Sequence, residues 1–112
     1  MKEKDIKIIK NINDIILEIY EKTKNINEEK FYNNIELSNI CTDSIFKINA
    51  ALNTLGDELK EQYKNIDWNI IQNNMYYDEI FKDSIKLNIV WELSNNILYK
   101  ELYLKLKNII KE

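Results

Sequence analysis

Apolar side chains recur along this chain at the spacing of amphipathic helices. The first stripe lies within roughly residues 5–24, where isoleucines follow one another at steps of four, three and four. Its members are Ile8, Ile12, Ile15 and Ile19, with Ile9 and Ile16 widening the stripe. Steps of three and four keep side chains on one face of an α-helix. The sequence therefore predicts a first helix from about Asp5 to Lys24.

A longer stripe predicts the second helix. Asn33 and Glu36 have the spacing of a capping box. The helix should therefore begin near Asn33 or Asn34 and run to about Lys64, and Asn27 can cap a short turn ahead of it. Apolar residues then alternate steps of four and three, which is typical of a helix packed lengthwise against another. This core seam comprises Cys41, Ile45, Ile48, Leu52, Leu55 and Leu59.

Three further helices complete the pattern. Asp67 can cap a third helix that starts at Trp68, and Asp83 or Ser84 can cap a fourth. The stripe of the fourth comprises Ile85, Ile89 and Leu93, with Val90 and Trp91 beside it, and the last helix carries Leu98, Leu102, Leu106, Ile109 and Ile110. About five helices joined by short connections predict an all-α, up-and-down bundle. The stripes are broader than one small bundle needs, so we expect a dimer.

Length and composition agree with a single folded domain over residues 1–112. The chain has 112 residues, 45% apolar and 31% charged, with no proline and only Gly56 as a glycine. Gly56 falls inside the second predicted helix, where close approach of a neighbouring helix would account for it. No apolar run is long enough to span a membrane and the start does not resemble a signal peptide, so we expect a cytoplasmic protein. The single cysteine, Cys41, is expected to be a buried core residue.

The chain lacks two residue types on which much enzyme chemistry depends. All 16 basic residues are lysine, and there is no histidine or arginine. Without histidine, the chain has no side chain whose unperturbed pKa lies near neutrality. Without arginine, it has no planar group that can bind a phosphate through two parallel hydrogen bonds. The net charge of −3 also argues against RNA binding. Asp78, Glu79 and Asp83 are interpreted as a solvated acidic face rather than a metal site, and we expect no cofactor.

The stretch between the two tryptophans resembles a known family. It includes "IDW", then "II", then "LNIVWEL", with Trp91 following Trp68 by 23 residues. This frame is similar to the HepT-like toxin subunits of the HEPN superfamily, which typically show Ile-Pro-Trp, a Gly-Met-Arg-Asn helix centre and a later Ile-Val-Trp. The upstream stretch "FYNNIELSNICTDSIFKINAALNTLGDELKEQYKNIDW" aligns with the family's second helix without a gap. The resemblance covers nearly the whole chain and implies a HEPN-like helical bundle.

The resemblance also implies a function whose catalytic residues this sequence lacks. In active members, an Arg is followed after four intervening residues by a His, and the His is followed after one more residue by a Tyr. Two protomers together form a metal-independent ribonuclease site. In this chain those three positions are Met75, Ile80 and Lys82. Neither Met75 nor Ile80 can transfer protons or neutralise a phosphate. The family's tyrosine is also the residue that a partner nucleotidyltransferase modifies with AMP, and Lys82 cannot accept that group.

The same segment is where the resemblance places the dimer interface. Side chains expected to face the partner are taken from Met75, Tyr76, Ile80 and Phe81. For Met75 and Ile80, ordinary core packing is the competing interpretation, and for Tyr76 and Tyr77 half-buried packing is favoured over base stacking or modification.

Three functions follow as hypotheses. The leading one is a catalytically degenerate HepT-like subunit that forms a homodimer and binds a small nucleotidyltransferase antitoxin. The second is a ribonuclease toxin whose site is rebuilt from Lys82, Tyr76, Tyr77 and nearby acids. The third is a standalone helical dimerisation module. The absence of arginine and histidine favours a non-enzymatic role.

Overall fold

The computed structural model describes residues 1–75, apart from the side chain of Met75, and residues 86–111. These residues form six helices and no strand, which confirms the all-helical fold. The helices are α1 (Glu3–Thr23), α2 (Glu28–Tyr32), α3 (Ile35–Asn53), α4 (Asp57–Gln62), α5 (Ile70–Met75) and α6, which runs through Leu87–Glu92, Leu93–Tyr103 and Leu104–Ile110. None of the described helices combines the length and apolar character needed to cross a membrane.

Helix α1 is the central element of the bundle and packs against both α3 and α6. Its buried apolar residues follow steps of three, four and three, as an α-helix buried along one face requires. They are Ile9, Ile12, Ile16 and Ile19, whereas Ile8 and Ile15, which the sequence placed in the same stripe, are partly buried at its edge. The start of α1 lies beside the end of α3, where the Gly56 backbone amide donates to Oδ1 of Asp5 at 3.3 Å.

The short helix α2 closes one end of the bundle. Asn27 caps it, as predicted, because its Oδ1 accepts from the backbone amide of Lys30 at 2.9 Å. Phe31 is fully buried, and its ring centroid lies 5.1 Å from that of Trp91 on α6. The helix is therefore anchored by one aromatic side chain, which is how a five-residue helix can be stable in this fold.

Helix α3 begins with a cap at Asn34. The Asn34 Oδ1 accepts from the backbone amide of Leu37 at 3.0 Å. The capping box expected from Asn33 and Glu36 is wrong, because Asn33 ends α2 and its Nδ2 donates to the carbonyl oxygen of Glu29 at 3.0 Å. Two adjacent asparagines thus serve two different helices.

This division of roles predicts a difference between two alanine variants. We expect Asn34→Ala to lower the free energy of unfolding by about 1 kcal/mol, the usual cost of losing an N-cap. Asn33→Ala should cost less than about 0.5 kcal/mol, because Asn33 is an exposed residue at the end of α2 and caps no helix N-terminus. Urea unfolding followed by circular dichroism measures both changes. Equal costs, or a larger cost at Asn33, would contradict the assigned cap.

The second predicted helix is interrupted, and its expected continuity to Lys64 is wrong. Helix α3 ends at Asn53, and Gly56 is extended, with φ −68° and ψ 148°, before α4 begins at Asp57. The Gly56 amide bonds to Asp5 instead of continuing the helical ladder. A Cβ at Gly56 would lie 3.4 Å from Oδ2 of Asp5, an ordinary contact distance, so close packing does not require glycine here.

Helix α6 is one element where the sequence predicted two. Its α-helical ends flank a π-helical stretch, Leu93–Tyr103, with helical backbone angles at both junctions. Buried side chains recur at steps of four: Ser94, Leu98, Leu102 and Leu106. Each step of four turns about 40° past a full circle on an α-helix, so repeated steps would carry the stripe off the core. The wider π turns keep these side chains on one face.

Candidate functional site

Trp68, the first of the two tryptophans, lies in the turn before α5. Trp68 is buried, and its Nε1 donates to the carbonyl oxygen of Tyr63 at 3.1 Å. Asp67 caps this turn, because its Oδ1 accepts from the backbone amide of Asn69 at 3.1 Å and both carboxylate oxygens accept from Nδ2 of Asn73. The helix starts at Ile70, two residues later than predicted. Trp68 therefore fixes the entry to α5.

The second tryptophan is fixed in the core by α2 and α6. Trp91 is buried in the first turns of α6, beside the fully buried ring of Phe31. Both ends of the segment that the sequence marks as an interface are thus attached to the monomer core.

The residues between these anchors include the predicted site. Tyr76, Ile80, Phe81 and Lys82, as well as the side chain of Met75, lie outside the described residues. The same holds for Tyr77, Asp78, Glu79, Asp83, Ser84 and Ile85. The interface set and the three substituted motif positions therefore stay predictions.

All six residues of the predicted seam are buried in one hydrophobic cluster. Cys41, Ile45, Ile48 and Leu52 have no exposed surface, and Leu55 and Leu59 are each 4% exposed. The seam extends through α3, the turn at Gly56 and α4. It is a packing surface within the protomer.

Cys41 is buried in this seam. Burial raises the pKa of its thiol, and the nearby Ser94 hydroxyl and Lys22 charge oppose that shift only in part. By geometry, Oγ of Ser94 has no hydrogen-bond partner among the described residues. A buried, protonated thiol is a poor nucleophile and metal ligand. Cys41 is therefore a structural residue.

Large apolar or aromatic side chains are exposed at the end of α2 and at the starts of α3 and α6. Ile35 at the start of α3 is 74% exposed, Leu87 at the start of α6 is 39% exposed and Tyr32 is 37% exposed. Desolvation raises the pKa of the Tyr32 hydroxyl, and Glu28, which accepts a hydrogen bond from it, and Glu92 raise that pKa further. Among the described residues, no three His, Cys, Asp or Glu side chains are close enough to hold a metal ion.

The structure also contains an aromatic ladder that the sequence interpretation missed. Tyr20 on α1 stacks on Tyr99 at 4.0 Å between ring centroids, and Tyr99 stacks on Tyr103 at 5.1 Å. Lys107 lies over the Tyr103 ring at 5.9 Å. Tyr99, Tyr103 and Lys107 are separated by four residues each, so the sequence could have predicted that they share one face of a helix. The partner Tyr20 could be identified only from the packing of α1 on α6.

Comparison of this chain with protein-family models, with curated proteins and with solved structures found no significant match. The assignment of the candidate site therefore rests on the residues of this chain and on the sequence resemblance.

Proposed function

We propose that this protein is a catalytically degenerate HepT-like subunit that acts by forming a homodimer and binding a small nucleotidyltransferase partner. The sequence observation that carries the proposal is the loss of the family motif in a chain that has no arginine or histidine anywhere. RNA cleavage without a metal needs a proton acceptor, a proton donor and a cation at the phosphate. Met75 and Ile80 supply none of these.

The fold supports the structural half of the proposal. The described residues form a helical bundle, and the two tryptophans of the family frame are both buried. Phe31 and the carbonyl oxygen of Tyr63 hold the two indole rings. The chain between the tryptophans therefore starts and ends at fixed points, as a segment that presents an interface requires.

The chemistry of the substitutions supports a binding role for this segment. Methionine and isoleucine gain free energy when they leave water, whereas the arginine and histidine that they replace lose hydration on burial. Methionine also adapts to irregular surfaces. Substitution of the catalytic pair therefore strengthens a contact between two protomers while it removes the reaction.

An RNA cleavage assay tests the loss of activity. We expect purified protein, incubated with total RNA at neutral pH with and without a chelator, to leave the RNA intact. Lys82→Ala and a matched variant, Lys86→Ala, should behave in the same way, and Lys86 suits this purpose because it is exposed at the start of α6. Cleavage that is lost in Lys82→Ala and retained in Lys86→Ala would identify an active ribonuclease with a rebuilt site and overturn the proposal.

Copurification addresses the partner. Coexpression with the product of the adjacent reading frame, if that frame encodes a small nucleotidyltransferase, should yield a stable complex. Failure of such a pair to associate would favour the standalone dimerisation module.

A further inference from the structure

A cleft opens between the last turn of α1 and the first half of the π-helical stretch of α6. Its volume is about 360 Å³, which is enough for a small molecule. The side of α1 contributes Tyr20, Thr23 and Lys24, with Ile26 just beyond, and the side of α6 contributes Asn95, Asn96 and Lys100. None of the residues that line the cleft belongs to the segment between the tryptophans.

Positive charge predominates at this cleft, although the chain as a whole is acidic. Lys24 and Lys100 lie on opposite walls, and no carboxylate lines the space. Glu21 bonds to Nζ of Lys24 at 2.7 Å from outside the lining, and this bond raises the pKa of Lys24 and keeps it charged. Two other clefts differ, because Glu29 lines one of them and Asp5 and Glu58 line the other.

Several donors at the cleft have no acceptor within the described part of the protein. The side-chain amides of Asn95 and Asn96 are half-buried and donate no hydrogen bond there, and Lys100 forms no ion pair. The Thr23 hydroxyl, in contrast, donates to the carbonyl oxygen of Ile19 at 2.8 Å. Half-buried donors that converge on one space favour an acceptor-rich ligand.

The π-helical conformation accounts for the convergence. On an α-helix, Asn95 and Lys100 would point about 140° apart, because each residue turns about 100°. A π-helix bonds residues five apart, so its wider turn brings these two side chains onto the same face. Asn96 and Lys100, four apart, also share that face. π-Helical turns are rare, and they occur frequently at functional sites.

The opposite wall is rigid and partly apolar. Tyr20 lines the cleft and is stacked on Tyr99, which in turn is stacked on Tyr103. Such a stack restricts the Tyr20 ring, and Ile26 adds apolar surface next to it. A ligand can therefore place an anionic group between the lysines and a small apolar or planar group against Tyr20.

We propose that this cleft binds a small phosphorylated molecule, with the phosphate held by Lys24, Lys100 and the amides of Asn95 and Asn96. Lys100 supplies a positive charge that no carboxylate pairs within the described residues, Lys24 shares its charge with Glu21, and the amides supply neutral donors to the phosphate oxygens. The proposal does not rest on the proposed dimer, because none of these four residues lies between Trp68 and Trp91 in the sequence.

Titration with phenyl phosphate, followed by NMR of the folded full-length protein, tests the proposal. We expect the side-chain amide signals of Asn95 and Asn96 to shift on binding. Lys100→Gln should weaken binding about tenfold, as loss of a charged hydrogen bond does. Lys47→Gln is the matched control, because Lys47 is exposed on α3, away from the cleft, and the variant has the same net charge. Its affinity should be unchanged.

A second variant and two further probes complete the test. Asn96→Ala removes an amide without changing the net charge, and it should also weaken binding, with circular dichroism as the check on folding. Inorganic phosphate should bind more weakly than phenyl phosphate because it lacks the ring. Equal loss of affinity in Lys47→Gln and Lys100→Gln would reveal nonspecific attraction, and tighter binding of benzoate than of phenyl phosphate would indicate a carboxylate site. Either result would overturn the proposal.

Discussion

Leu52→Ala should lower the free energy of unfolding by about 2–5 kcal/mol, the usual range for a leucine truncated to alanine in a protein core. Leu52 has no exposed surface and lies in the last turns of α3, within the hydrophobic cluster that contains α1 and α6. Truncation removes the transfer free energy of the lost methyl and methylene groups and leaves a cavity that the close-packed surroundings fill only in part.

Urea unfolding of both proteins at the same temperature measures this change. The midpoint should fall while the slope stays constant, because the surface exposed on unfolding hardly changes. Asn53→Ala, at the neighbouring exposed position, is the matched control and should cost less than about 0.5 kcal/mol. A cost below that limit for Leu52→Ala would mean that Leu52 does not belong to the core.

The burial of the seam could be predicted from sequence because it depends on periodicity. Cys41, Ile45, Ile48 and Leu52 follow steps of four, three and four, which place them on one face of a helix whatever that helix packs against. The all-helical fold follows in the same way from the repeated stripes and the near absence of glycine and proline.

The break at Gly56 could not be predicted, because it depends on a contact distant in sequence. The apolar steps continue through Leu55 and Leu59, so the pattern reads as one helix. In the folded chain, the Gly56 amide bonds to Asp5, 51 residues earlier. Phe31 was missed for a similar reason, since it follows polar residues in the sequence and packs beside Trp91, 60 residues later, in the hydrophobic cluster.

The spacing of buried residues along α6 indicates in the sequence that it is one helix. Ser94, Leu98, Leu102 and Leu106 are separated by four residues at every step, without the intervening step of three that an α-helix needs. That uninterrupted run indicates widened turns rather than two helices. The stacking of Tyr20 on Tyr99 and the cleft that Lys24 and Lys100 line both depend on the packing of α1 against α6, so neither could be identified from the sequence.

Ile80→Asp should convert the proposed homodimer into a folded monomer. If Ile80 faces a second protomer, the variant buries an unpaired charge in the dimer, which costs several kcal/mol, and dissociation returns that charge to water. We expect the monomer to stay folded, because the hydrophobic cluster of the described residues, which includes Trp68 and Trp91, already joins α1, α3 and α6. Glu92→Asp, which shortens an exposed acid on α6 without changing its charge, is a control that should leave the dimer unchanged.

Multi-angle light scattering of the wild-type protein and of Ile80→Asp, with circular dichroism of each sample, tests the central claim most directly. We predict a molar mass near twice the 13.5 kDa of one chain for the wild-type protein and near one chain for the variant, with equal helical signal. A wild-type monomer, a variant that stays dimeric and folded, or a variant that unfolds outright would contradict the claim that the segment between the tryptophans is the dimer interface.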